Sequence, residues 1–129
     1  MFLDSSVIIE VFRRPSDSEF FQRVERIIGD GEVFVSIVQL AEVADWAVRN
    51  KVSPKERVAA VKEFARVVPL DEQICLDAAE IKAGRREKGY VDFGLLDGVV
   101  LASARSIGQR LLTLDRDFAG EADCQVERF

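Results

Sequence analysis

Four carboxylates stand at places where a β/α chain brings side chains together. Asp4 follows the apolar pair Phe2 and Leu3, Glu42 lies in a helical stretch, Asp97 opens a late helix, and Asp115 follows the apolar run 111–114. Two strand-end aspartates beside a crevice, joined by two helix carboxylates able to face it, make a cluster of hard oxygen donors of the kind that selects Mg²⁺ or Mn²⁺ over softer metals. Such like charges either take up protons or bind a divalent cation. A cation held this way activates water and stabilises the charge of a phosphodiester transition state without an imidazole. That matters here because the 129 residues include no histidine. Ser-His-Asp triads, Cys-His pairs and His-ligated zinc are therefore excluded.

Each carboxylate also has a structural reading. Asp4 could cap the helix that follows it, and Asp115 could be an ordinary turn residue ahead of Arg116 and Asp117. Glu42 shares the polar side of its helical wheel with Val38, Asp45 and Arg49, which makes it a solvated surface residue by periodicity alone. Asp97 differs, because it falls inside the apolar stripe of Leu96, Val100, Leu101, Ala104 and Ile107. A carboxylate there is costly unless partnered, either by N–H groups at the helix start or by a cation.

The elements that must position these residues follow from apolar spacing and from cap and stop residues. Phe2 and Leu3 begin a strand, and Val7, Ile8 and Ile9 begin a helix broken at Arg13-Arg14-Pro15. Ser18 opens a second helix that runs to Gly29 or Gly31, followed by a strand over 33–35 and a helix over 37–50. Ser53-Pro54 starts another helix, Val67 and Val68 give a third strand, and Asp71 or a neighbour caps a helix that Gly89 stops. A helix over 95–106, a strand over 111–114 and a last short strand over 125–128 complete the chain. Short apolar strands separated by helices predict an α/β three-layer sandwich, with a short, mainly parallel central sheet and helices on both faces. In such folds the functional crevice lies at the carboxyl ends of the strands, where Asp4 and Asp115 sit.

A length of 129 residues with 48% hydrophobic content suits one domain, 1–129. No apolar run approaches the roughly 20 residues that span a bilayer, and the start lacks a secretory pattern, so cytoplasmic residence without membrane contact is the expectation. The two cysteines, Cys75 and Cys124, have neither disulfide density nor zinc spacing. A formal net charge of −5 argues against coating nucleic acid through an overall positive field, although a local basic patch remains available.

The runs Leu3-Asp4-Ser5-Ser6-Val7-Ile8-Ile9, Ser36-Ile37-Val38-Gln39-Leu40-Ala41-Glu42-Val43, Asp97-Gly98-Val99-Val100-Leu101-Ala102-Ser103-Ala104 and Leu112-Thr113-Leu114-Asp115-Arg116-Asp117-Phe118 resemble, in order, the four motifs of the PIN domain family. Within it the chain is similar to the small VapC-type toxins of toxin–antitoxin modules. The resemblance implies a Mg²⁺- or Mn²⁺-dependent endoribonuclease whose acidic centre is Asp4, Glu42, Asp97 and Asp115. Asp4 and Asp97 would be direct ligands, and Glu42 and Asp115 would complete or orient the metal-water shell. Asp117 matches an accessory acidic position, and Ser6 and Thr113 match hydroxyls that orient the carboxylates. Ser5-Ser6 stands where the family often has Thr-Asn, which keeps a hydroxyl and loses an amide. The resemblance also implies a homodimer and a cognate antitoxin.

An RNA substrate needs cations. Lys82, Arg85 and Arg86 lie at i, i+3 and i+4, and Arg13 and Arg14 end the first helix, so these five residues are the expected phosphate contacts. For the Lys82 helix the alternative is a solvated basic face paired with Glu80 and Glu87. Trp46 and Tyr90 read as packing more than as base-stacking residues. Two other functions compete with the nuclease. One is a PIN-fold binding module with little or no catalysis in an RNA-processing or toxin–antitoxin assembly. The other, a phosphatase built on a strand-end aspartate, is disfavoured because Asp4-Ser5-Ser6 lacks a second aspartate two residues on.

Overall fold

In the computed structural model, which describes residues 1–128, Phe2 and Leu3 make up the whole of β1 (Phe2–Leu3). Position 129, the last of the expected domain, lies outside the described residues. β1 pairs in parallel on both sides, with Phe2 opposite Phe34 of β2 (Phe34–Ser36), and Phe2 and Leu3 opposite Leu111 and Leu112 of β4 (Leu111–Thr113). β3 (Arg66–Val68) extends the sheet beyond β2, and β5 (Cys124–Val126) extends it beyond β4. The order is β3-β2-β1-β4-β5, and every pairing is parallel.

Six helices connect these strands: α1 (Ser5–Arg13), α2 (Glu19–Ile28), α3 (Ile37–Arg49), α4 (Pro54–Phe64), α5 (Glu72–Glu87) and α6 (Leu95–Ser106). The expected caps are in place. Ser18 accepts from the Phe21 N–H, Ser53 from Glu56 and Asp71 from Ile74. Gly29, at φ 63°, takes the left-handed turn that ends α2. β5 starts one residue earlier and ends two earlier than the apolar pattern predicts, and the residues after β4 form a single 3₁₀ turn, Arg116–Phe118.

Successive strand side chains point to opposite faces, which divides the core in two. Leu3 and Leu112 join Val7 and Ile8 of α1, Phe20 and Val24 of α2, and Val61 of α4. Phe2 and Leu111 join Val100, Leu101 and Ala104 of α6 on the other side. This is the expected three-layer sandwich. α5 packs on α6 through Ile74, Ala78, Val99 and Ala102. The buried face of α6 runs through residues 98–104, so the stripe read from the sequence is displaced at its ends: Leu96 is 47% and Ile107 39% exposed.

Cys75 is exposed and Cys124 half-buried, both free, and burial pushes the Cys124 thiol up to about 12, far from a nucleophile's range. No helix among the described residues is long and apolar enough to cross a membrane.

At Gly98 the backbone of α6 comes close against α5, since a Cβ there would stand 2.5 Å from the Ala78 carbonyl oxygen. The opposing atom is helix backbone and cannot swing away. Gly98→Ala is therefore expected to destabilise the fold by about 1–3 kcal/mol even though alanine gains roughly 1 kcal/mol of helix propensity. Urea unfolding measures the balance, and a more stable variant would contradict the close crossing.

Candidate functional site

The carboxyl end of β1 delivers Asp4 to the N-cap position of α1, yet its side chain makes no cap hydrogen bond. It turns instead toward β4. The Ser6 hydroxyl donates to Asp4 Oδ2 at 2.7 Å and the Thr113 hydroxyl donates to the same oxygen at 2.8 Å. Each hydroxyl accepts in turn from the backbone leaving β4: Ser6 from the Leu114 N–H at 3.0 Å and Thr113 from the Asp115 N–H at 3.0 Å. With their lone pairs engaged by N–H groups, both hydroxyls spend their single proton on the carboxylate. Asp4 is 6% exposed. Burial raises its proton affinity, the two hydroxyls oppose that shift, and the charge of Asp115 adds to it.

Glu42 does not lie on a solvated face. It is half-buried, and its Oε1 accepts from the Ser5 hydroxyl at 2.9 Å. Burial raises its pKa first, and the charges of Asp4 and Asp97 raise it further. Ser5 is itself held by Gln39, whose fully buried amide donates to the Ser5 oxygen at 3.2 Å and to the Leu3 carbonyl at 2.7 Å. The Gln39 oxygen accepts from the Ser36 N–H at 2.7 Å, closing a capping box with Ser36 at the start of α3. Neither Ser5 nor Gln39 was identified from the sequence. The Ser36-to-Gln39 spacing carried a capping-box signal, but the contact that joins Gln39 to Ser5 is tertiary.

Asp97 accepts from the Gly94 N–H at 2.8 Å, the backbone partner anticipated for a carboxylate opening a helix. Burial nevertheless raises it to about 6, the Gly94 hydrogen bond pulls the other way, and the charges of Asp4, Asp115 and Asp117 add to the rise. Asp115 accepts from the Asp117 N–H at 2.8 Å, which caps the 3₁₀ turn, so its turn reading also holds. Asp117 is raised by burial, then by Asp115 and Asp92. The fold thus brings the five predicted carboxylates into one electrostatically coupled group. Among the described residues, however, no three acidic, cysteine or histidine side chains are arranged as a metal-holding set.

The expected cations do not stay together. Arg85 is only 3% exposed and donates to the Asp117 carbonyl from Nε and Nη2 (3.0 and 2.6 Å), to the Ala119 carbonyl and to Glu121. The Tyr90 ring lies 3.9 Å from its guanidinium carbon. That removes Arg85 from any phosphate-gripping face: it fastens the turn that carries Asp115 and Asp117 onto α5. Arg86 donates to the Phe93 carbonyl, while Lys82 is partly exposed. Arg13 and Arg14 are exposed and both pair with Glu10. Trp46 stacks on Phe12, and Tyr90 packs on Arg85, as the packing reading expected.

The PIN domain family model matches residues 1–121. No curated protein matches the chain. The fold is similar to a solved toxin–antitoxin complex from Klebsiella pneumoniae (18% identity, 97% of this chain and 95% of that one, TM-score 0.77). It is similar to VapBC2 from Rickettsia felis bound to a promoter DNA fragment (14% identity, 98% and 96% of the two chains, TM-score 0.75). It is also similar to VapBC-1 from nontypeable Haemophilus influenzae (23% identity, 98% and 95%, TM-score 0.70). At these identities the likeness is one of fold.

Two stability measurements follow from this geometry. A carboxyl group whose folded pKa is raised contributes stability that is present below its ordinary value, 3.8 for Asp97, and lost as pH rises through about 6. With EDTA present the protein should therefore melt at higher temperature at pH 5 than at pH 7, in a window where no histidine titrates. Asp97→Asn keeps an oxygen for the Gly94 N–H and should flatten this slope. At pH 7 it should stabilise by on the order of 1 kcal/mol after allowance for solvent screening, a few degrees in Tm. A melting temperature independent of pH from 5 to 7 would refute the coupling. Arg85→Met, which abandons buried carbonyls and Glu121, should cost about 3 kcal/mol in urea unfolding, against about 0.5 or less for Lys82→Met.

Proposed function

The chain belongs to the PIN domain family, and from that membership together with its acidic centre we propose that it is a Mg²⁺- or Mn²⁺-dependent endoribonuclease acting in the cytoplasm. The observation that carries the reading is the coupling of Asp4 and Asp115, at the carboxyl ends of β1 and β4, with Asp97 of α6, and of Glu42 of α3 with Asp4 and Asp97. Their oxygen-only chemistry fits a hard divalent cation, and their proton affinities are raised first by burial and then by a mutual repulsion that such a cation relieves. Asp4 and Asp97 would hold it, with Glu42 and Asp115 completing the shell and Asp117 accessory. Bound there, the cation would supply water activation and charge neutralisation at the phosphodiester.

The surrounding residues already do the positioning. Ser6 and Thr113 point Asp4 Oδ2, Ser5 points Glu42, and the N–H groups of Gly94 and Asp117 each hold one oxygen of Asp97 and Asp115. Such partners fix ligand orientation and strengthen metal affinity. That Ser6 donates to Asp4 while accepting from the Leu114 N–H supports its orienting role despite the missing family amide.

We place the chain as the toxin of a toxin–antitoxin pair, a reading supported by neighbours that are themselves toxin–antitoxin complexes. A cognate antitoxin and a second copy of the chain are the proposed partners. Exposed Val91, Leu95 and Leu96 around the start of α6 offer apolar area for such contacts. The competing reading, a binding module with little catalysis, draws on one specific observation: the carboxylates are not arranged as a metal-holding set in the side-chain positions described.

Cleavage of a structured RNA pool by partner-free protein decides between them. Cutting is expected with Mn²⁺, none with EDTA and none with Asp97→Asn, while Ser6→Ala should lose about 10- to 100-fold, the range for residues that orient a metal ligand. Cleavage that survives both EDTA and Asp97→Asn would overturn the metal mechanism. A folded, metal-loaded protein that cuts nothing would favour the binding module.

A further inference from the structure

Away from the carboxylates, one side of the molecule collects arginine. Arg14 after α1, Arg23 and Arg26 on α2, and Arg128 after β5 line a cleft of about 460 Å³. An adjoining cleft of about 400 Å³ shares Arg14 and Arg128 and adds Arg116 and Leu114. The glutamates along the same walls are Glu10, which pairs with Arg13 and Arg14, Glu127, which pairs with Arg23, and Glu19. Among the described residues no carboxylate forms an ion pair with Arg26, Arg116 or Arg128. A net positive groove on a chain of net charge −5 is a local inversion of its field.

We propose that this arginine groove is a binding track for the phosphate backbone of single-stranded RNA, holding nucleotides remote from the bond to be cut. The proposal rests on the ribonuclease reading and deepens it. Two features argue for a polyphosphate occupant. Every cation in the groove is an arginine, whose planar fork meets phosphate oxygens in pairs. The adjoining cleft is also lined by Leu114 and Arg116, the chain neighbours of Asp115 on either side. Arg14, which both clefts share, lies ten residues beyond Asp4, about 15 Å along a helix. Arg26 and Arg128, which form no ion pair with a described carboxylate, are the residues assigned to the RNA backbone.

The test is binding of a fluorescent ten-nucleotide RNA followed by anisotropy in EDTA, where the cation and the chemistry are absent, across a salt series. Arg26→Gln/Arg128→Gln should raise Kd about tenfold or more at 0.1 M salt and reduce the slope of log Kd against log salt by about 1.4, at roughly 0.7 per lost single-strand contact. Arg26→Lys/Arg128→Lys should keep the slope, and matching thermal midpoints establish that all three proteins fold alike. Wild-type protein that cuts RNA with Mn²⁺ but binds no better than the Gln variant would overturn the groove and leave the nuclease standing. Protein that binds through the groove and cuts nothing with Mn²⁺ would leave the groove standing without the nuclease. Absence of binding by wild type, or equal displacement of RNA by polyglutamate at matched charge, would overturn the RNA assignment.

Discussion

A carboxylate at 6% exposure at the carboxyl end of the central strand is the constraint that organises this molecule. Burying Asp4 costs several kcal/mol unless the protein replaces the water it loses. The replacement is drawn from two elements: a hydroxyl from the first turn of α1 and a hydroxyl from the last residue of β4, both donating to one oxygen. Those hydroxyls are themselves oriented by the Leu114 and Asp115 N–H groups, so the exit of β4 is fixed by the same network that fixes Asp4. Changing the register between β1 and β4 would break the two contacts that join them, Thr113 to Asp4 and the Leu114 N–H to Ser6. The apolar core sets the layers, while this polar knot sets how the two central strands meet.

Around that knot the other acids are arranged with incomplete compensation. Each of Glu42, Asp97 and Asp115 receives a hydrogen bond, yet the pKa values of Glu42 and Asp97 remain raised by burial and by their neighbours. A set of acids serving structure alone would be expected to carry cations beside it, and this protein does place arginines next to other carboxylates, as Arg105 beside Asp123 and Glu121 demonstrates. Among the described residues none of Asp4, Glu42, Asp97, Asp115 and Asp117 forms an ion pair. Arg85, the nearest buried cation in chain terms, spends its donors on carbonyls behind the Asp117 turn. Local strain of this electrostatic kind, retained inside a well-packed fold, is characteristic of a site built for a ligand.

The architecture was legible in the sequence because its signals are local. Ser18, Ser53-Pro54 and Asp71 start helices through contacts three residues away, and the five strands are apolar runs whose limits differ from the observed ones by a residue or two. The ordered acidic motifs pointed to one group, and the fold couples them electrostatically. What the sequence could not carry was orientation decided by distant chain. The helical wheel put Glu42 in water because it could not know that Ser5, 37 residues earlier, would face it. Arg85 sat on a plausible basic stripe, yet carbonyls 32 and 34 residues later close over it. Gly98 carried no mark of its role, since only the approach of α5 makes a missing Cβ necessary. The arginine groove escaped for the same reason, its members being spread from Arg14 to Arg128.

The hydrogen bond from Thr113 to Asp4 spans 109 positions of sequence. A contact of that separation forms only after a long loop has closed, and strand pairings of this kind are among the slowest events in folding. During synthesis from the amino terminus, α1 to α5 can emerge and gather while Asp4 still lacks its β4 partner and Asp115 has not been made. The acidic centre is therefore absent from the nascent chain until β4 emerges and pairs. For a protein proposed to cut RNA, the full set of proposed ligands therefore exists only once Asp115 has been made and β4 has paired.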